Sequence, residues 1–459
     1  LQTRANRFHL DHRYLLQFSS SLLDMVSERP RKLPQAPPMF AGTPTSIIED
    51  TKRLIDSSYI AQNEVVKNVQ PDTATFSNVL LPLAHIENAM VLEAHILGFY
   101  KIVSPDFKLR AASSEAQKLL DNFAIETAMC EDLYELVDAV LKKNEDLDPE
   151  SYRLLAKKHR DYIKNGLKLP SGPQRDRFRE IKLSLGRLTR QFRQNIFEEN
   201  GGIWFLPQDL DGLPKEVLSR LESGEAEGEN SGKLRLTFKD PDFYATMRFA
   251  KKDETRKRMY ITYDNKCNQN VPIFRKVMVL GGEAARLLGY PNHATFRLED
   301  KMAKTPETVN TFLGDLRSRL TTGATRELEK LKQLKESDLN SRGEVFDGRF
   351  LNWDLSFYHR LMLETQYLVD QAKIADFFPL QTTVLRMLGI FQRLFGLLFL
   401  EIPNDHRDKI AISGKGSDLV WHEEVQIFSV WNEDSSEFVG YLYFDLFHAD
   451  LISSPRLSS

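Results

Sequence analysis

The sequence predicts a mostly α-helical fold with a small β-sheet toward its C-terminal end, on three observations. Apolar residues recur at steps of three and four along most of the chain. Helix-starting pairs such as Thr43-Pro44 and Thr305-Pro306 precede such stretches. Alternating patterns are confined to a few short runs, the clearest pair lying after residue 424.

The elements follow in order. Residues 1–40 carry Arg4, Arg7, Arg13, Arg29, Arg31 and Lys32 against Asp11, Asp24 and Glu28, with serines at 19–21. They are expected to be a disordered leader or linker with Met25 as a candidate start. The other reading is a mitochondrial transit peptide, which the acids disfavour. Pro30, Pro34, Pro37 and Pro38 stiffen the approach to the first helix. That helix runs from Thr43-Pro44 through Val66. A helix from Pro173 places Phe178, Ile181, Leu185, Leu188, Phe192 and Ile196 on one face, with Gly201-Gly202 as its expected stop. Residues 222–232 read as a solvated loop and Leu234–Phe238 as a strand. The helix opening at Thr305-Pro306 carries Phe312, Leu316, Leu320, Leu328 and Leu331. Further helices are expected over Leu355–Val369 and Thr382–Leu400. Val425–Trp431 and Phe438–Phe447 form a hairpin around a polar turn at 432–436. Large residues alternate on both faces of its second strand, so both faces should be covered or line a cleft.

Composition bounds the function. The 459 residues hold 62 Lys+Arg against 65 Asp+Glu, a formal net charge of -3, which argues against a chain built overall as a polycation for nucleic acid. Two cysteines, Cys130 and Cys267, are too few for a disulfide scaffold or a thiolate zinc site. The sequence has no Asn-x-Ser/Thr acceptor, and a reducing intracellular compartment is the expectation. The most apolar stretch, Val384–Ile402, is interrupted by Arg386, Gln392, Arg393 and Glu401, so no membrane span is expected.

Candidate chemistry is sparse. His422-Glu423-Glu424-Val425-Gln426 resembles a zinc-peptidase His-Glu-x-x-His, but Gln426 stands at the second ligand position and the segment has strand character. It reads as a decoy. His85, His95, His159, His293, His359, His406 and His448 show no ligand spacing, and His9 and His12 lie in the leader. Gly414-Lys415-Gly416-Ser417 lacks the glycine a phosphate loop needs at position 409, which is Lys409, and reads as a turn. Arg175, Arg177, Arg179, Lys182, Arg187, Arg190 and Arg193 make one helix basic. The nucleic-acid reading of that helix yields to a solvated outer face.

Several segments, in order, carry a resemblance. They begin with Asn78-Val-Leu-Leu-Pro-Leu-Ala-His85-Ile-Glu87-Asn and Gly166-Leu-Lys-Leu-Pro170. Arg256-Lys-Arg-Met-Tyr260, Trp353-Asp354 with Phe357-Tyr358, and Gly389-Ile-Phe-Gln392-Arg-Leu-Phe-Gly396 follow. Trp421-His422 and Gly440-Tyr-Leu-Tyr-Phe-Asp445 close the series. Over roughly residues 43–447 the chain resembles the thimet oligopeptidase, saccharolysin and neurolysin family of zinc metallopeptidases. The resemblance implies a neurolysin-like, two-lobed helical fold around a channel, one zinc per complete member, and cleavage of short unstructured peptides. It also implies a zinc helix with His-Glu-x-x-His and a later glutamate, in which three protein ligands leave a place for water. No such motif occurs here, so no catalytic, cofactor-binding or metal residue is assigned. The expected layout is a leader at 1–40, an N-terminal helical region at 41–245, the first part of the catalytic domain at 246–447 and an off-pattern tail at 448–459. The expectation is a truncated, inactive representation of a monomeric zinc oligopeptidase without nucleic-acid or membrane partners. The cytoplasm is its expected location, the mitochondrial matrix the other. The competing reading is a catalytically dead helical module that binds peptides or regulates.

Overall fold

The structure is a computed structural model that describes residues 33, 35–366, 371–434 and 437–446. Helices dominate, as the periodicity predicts, and two three-stranded antiparallel sheets accompany them. The described residues fall into two compact units.

One unit gathers the described residues up to 61, with 85–120 and those from 372 onward. It takes most of α1 (Pro44–Asn68) and α2 (Leu81–Val103) and the first part of α3 (Phe107–Ala128). Ile47, Leu54, Leu97, Tyr100 and Ala116 form their common core. The Gly42 amide donates to Tyr100 Oη at 2.8 Å and fixes the entry to α1.

The other unit comprises 62–84 and 121–371. Here α4 (Glu131–Lys143) and α5 (Pro149–Lys164) precede α6 (Pro173–Phe197). Asp148 caps α5 by accepting from the Glu150 and Ser151 amides. The apolar face of α6 is buried as expected at Phe178, Ile181 and Leu188. Its end differs from the expectation: α6 closes at Glu198, and Gly202 instead opens β1 (Gly202–Phe205). After α7 (Lys215–Ser219), β2 (Glu222–Ser223) and β3 (Leu234–Thr237) complete a sheet of order β1-β3-β2. Only β3 is legible in the sequence, because β1 and β2 are four and two residues long. Next come α8 (Asp240–Phe249), α9 (Asp253–Asp264), α10 (Asn270–Leu287) and α11 (His293–Leu298). Phe178 and Ile181 pack against Ala284 of α10. α12 (Pro306–Ser341) begins at the expected Thr305 cap, which accepts from the Thr308 amide. Its apolar row departs from the expectation, since only Leu331 of the five named residues is buried. α13 (Asn352–Gln366) packs Phe357 and Tyr358 on Leu331. The expected continuation of α13 to Val369 lies outside the described residues.

In the first unit, α14 (Gln371–Ala375) precedes α15 (Leu380–Phe395). The helix expected over 382–400 stops early. Gly396 adopts φ 62°, a left-handed cap, and Leu397–Glu401 becomes strand β4. A continuous apolar run hides this switch, because burial on both faces erases the difference between the two periods. α16 (Asn404–Ile410) follows, then the hairpin of β5 (Gln426–Asn432) and β6 (Phe438–Phe444), giving the order β4-β5-β6. Ile427 packs with Ile402, Leu419 and Val425 on one face, and Phe428 with Val384 and Leu388 of α15 on the other. Tyr441 and Tyr443 join the first face, Leu442 and Phe444 the second. Both faces of β6 thus make apolar contacts, and its residues are half-buried except Val439, which is exposed. Leaders 1–32 and the tail from 447 lie outside the described residues.

Candidate functional site

The motifs after residue 400 converge on one side of the β4-β5-β6 sheet. Arg407 of α16 is buried there; its Nη2 donates to the Val425 carbonyl at 2.9 Å and its Nε to that of Ile402 at 3.4 Å. Burial lowers its pKa, and the Glu401 carboxylate opposes that shift. Gly416 lies so close that an added Cβ would stand 2.5 Å from Arg407 Cβ. Its amide donates to Asp408 Oδ1 at 2.6 Å. The Gly414-Lys415-Gly416-Ser417 run is therefore a turn selected for packing, and it leads into a single 3₁₀ turn, Gly416–Leu419.

A cavity of about 500 Å³ opens beside Arg407, with Glu401, Asp405, Glu423 and Glu424 among its lining residues. His422 sits on the bend before β5, where its Nδ1 accepts from the Glu424 amide at 3.3 Å. Gln426 is already in β5 and donates from Nε2 to Glu401 Oε1 at 3.2 Å. Ligands four apart need a helix to share a face, and this segment is turn and strand. Among the described residues no group of three or more His, Cys, Asp or Glu is placed to hold a metal ion. The donors around this cavity are carboxylates without a converging imidazole pair, so they do not fit a zinc of the His-Glu-x-x-His kind.

The remaining histidines are dispersed. His159 lies 3.0 Å from Asp138 and stacks on Tyr134, and His293 Nδ1 meets the Gly281 carbonyl at 3.2 Å. His85, His95 and His359 are exposed; His9, His12 and His448 fall outside the described residues.

Three of the seven basic residues of α6 pair with acids. Arg175 pairs with Glu131 and donates to the Leu169 carbonyl. Arg177 reaches Glu283 at 2.7 Å and holds its carboxyl below the usual range by hydrogen bonding. Arg190 reaches Asp121 at 2.9 Å. These pairs reduce the positive field that a phosphate backbone would need.

On the sheet, Trp421 meets Phe40 and Phe99 edge to face at 5.0 and 4.8 Å and lies 5.6 Å from Tyr443. Burial raises the Tyr443 pKa, and among the described residues its hydroxyl has no hydrogen-bond partner. Tyr441 donates to the Gln35 carbonyl at 2.6 Å, and burial pushes it up to about 12. β6 pairs with β5 along one side, and among the described residues no strand pairs with its other side.

Residues 246–450 match the profile of peptidase family M3. The oligopeptidase PhomG' of Diaporthe leptostromiformis is 36% identical over 412 residues, 88% of this chain and 33% of that protein. The oligopeptidase PhomG of the same organism is 35% identical, over 89% of this chain and 54% of its own length. Saccharolysin of Saccharomyces cerevisiae is 31% identical, over 95% and 60%.

The chain belongs to peptidase family M3.

The chain spans between a third and three-fifths of these M3 relatives. Within this M3 chain, residue-level reading missed the strand β4 and the part played by Arg407. Neither has a local signal: the strand is masked by a uniformly apolar run, and a buried arginine looks like any surface arginine until its partners are placed.

Proposed function

We propose that the protein this M3 chain represents hydrolyses short, unstructured peptides, with zinc as the ion of the complete enzyme. The observation that carries the reading is the family match at 246–450, joined to the oligopeptidase relatives that align over most of the chain. The side of β6 on which no described strand pairs supports it, since an extended peptide can pair with a strand edge through its main chain. None of the 459 residues is given a ligand or general-base role. The sequence contains no His-Glu-x-x-His, and the donors at 401–426 do not fit. The reading assigns those groups to polypeptide that the relatives have and this chain does not span.

We place the enzyme in the cytoplasm as a monomer, with the mitochondrial matrix as the second location. Two cysteines and the lack of glycosylation acceptors support an intracellular site. Cell fractionation with an antibody to 246–450 decides between cytosol and matrix.

The test is a peptide map, zinc stoichiometry and a quenched-peptide assay on the protein from its source. The expected result is a mass above 53.0 kDa, one zinc and chelator-sensitive cleavage. A zinc-free species without cleavage overturns it. A catalytically dead peptide-binding module is the second reading, favoured by a β4-β5-β6 sheet that forms without a metal-binding group among the described residues. It requires that such a species still bind a labelled peptide without cutting it.

A further inference from the structure

Helix α15 is apolar over more of its circumference than its packing uses. At about 100° per residue, the apolar side chains from Ile390 round to Leu388 cover an arc of roughly 160°, wider than the stripe of about 100° that one-sided packing needs. Val384 and Leu388, near one end of that arc, are buried against Phe428 of the sheet. Leu380, Met387, Ile390, Phe391 and Leu394 occupy the rest and are exposed, Ile390 at 58% and Leu394 at 67%. Arg386 lies at the polar border of this face, beside Ile390, and is also exposed.

The other unit repeats the feature on α12. Every residue from 311 to 330 is exposed, although Phe312, Leu316, Leu320 and Leu328 share a row at steps of four or eight. Phe312 is 65% exposed and Leu320 58%. Water-facing rows of this size mark interaction surfaces.

We propose that these two faces are seats for the polypeptide that M3 relatives carry and this chain does not span. The occupant is a helix-rich segment with an apolar seam, and a carboxylate beside Arg386. The length supports this choice: nearly half of PhomG and about two-fifths of saccharolysin lie outside the part this chain covers. The α15 seat also adjoins β4, β5 and β6, inside the stretch that matches the family profile. A second copy of the chain is the competing occupant. The inference rests on the reading that the working enzyme is longer than these 459 residues.

Hydroxyl-radical footprinting of the source protein and of the recombinant 459-residue chain tests it, reading Met387, Phe391 and Phe312. The expected result is several-fold lower labelling in a source protein heavier than 53.0 kDa, with full labelling of a monomeric 459-residue chain. Equal labelling in the two overturns the proposal, as does a source protein that ends at Ser459. Protection in the short chain with a doubled mass by light scattering also overturns it, in favour of a second copy. Should the short chain aggregate, the pair Ile390→Lys and Leu394→Lys gives a separate reading. The double variant should raise soluble yield of the short chain several-fold with its helical circular dichroism kept, and should prevent soluble folding of the longer protein. A longer protein that tolerates both lysines sinks the seat even if it cleaves peptides. One that is protected but inert keeps the seat and removes the peptidase reading.

Discussion

Asp354 is fully buried and meets two cations: Arg256 Nη2 at 3.1 Å and Lys335 Nζ at 2.7 Å. The Leu351 amide donates to it at 2.9 Å. Arg256 also donates to the carbonyls of Ala250, Lys251 and Trp353, and stands 4.5 Å over the Phe357 ring. The network joins α9, α12 and α13, and removal of Asp354 would leave buried Lys335 without a carboxylate and Arg256 with Asp253 alone at 3.2 Å. Asp354→Ala is therefore expected to cost ~3–5 kcal/mol, read as a lower denaturant midpoint. Burial alone would push the Asp354 carboxyl up, but Lys335 and the Leu351 amide, with Asp253, hold it below the usual range. A depressed folded pKa contributes stability that is present above the unfolded value of ~3.9 and is lost as pH falls through the folded one. Asp354→Asn should flatten the loss of stability below about pH 4, measured by denaturation at a series of pH values. Trp353-Asp354 is visible in the sequence as part of a family pattern. Its partners lie 98 and 19 positions away, so its role as a charge centre is not legible there.

Gly396 makes the turn from α15 into β4 possible. Its φ of 62° and ψ of 41° lie in the left-handed region, and a side chain there costs ~1–2 kcal/mol. Gly396→Val should cost at least that and loosen the pairing of β4 with β5, seen as faster amide exchange at Leu398 and Leu400. At the same scale, the paired acids along α6 predict weak nucleic-acid binding. Reversing Arg187 and Arg190 should leave any residual binding unchanged in a salt titration; its loss would restore the basic-helix reading. Helix starts were legible wherever a cap residue preceded a proline, as at Thr43-Pro44 and Thr305-Pro306. The end of α15 was not, because one glycine in an apolar run has both a helical and a capping reading until the strand partner is known.

For the molecule as a whole, the recombinant 459-residue chain is expected to bind no stoichiometric zinc and to show no chelator-sensitive peptide hydrolysis. Metal analysis and a quenched-peptide assay check both, and one tight zinc with cleavage would refute the absence of a ligand set in these residues. The amino-acid order by itself determined the helical class, the C-terminal hairpin, the family, and the failure of His422–Gln426 as a zinc pair. Those properties depend on local periodicity, on spacing and on motif identity, all of which are written along the chain. Only the tertiary structure decided that Arg407 and Gly416 pack as one unit beside the acidic cavity. It also decided that Asp354 anchors two cations, that Leu397–Glu401 is a strand, and that large apolar faces of α12 and α15 stay in water. These are statements about which distant side chains meet, and periodicity marks a face as apolar without saying what, if anything, lies against it.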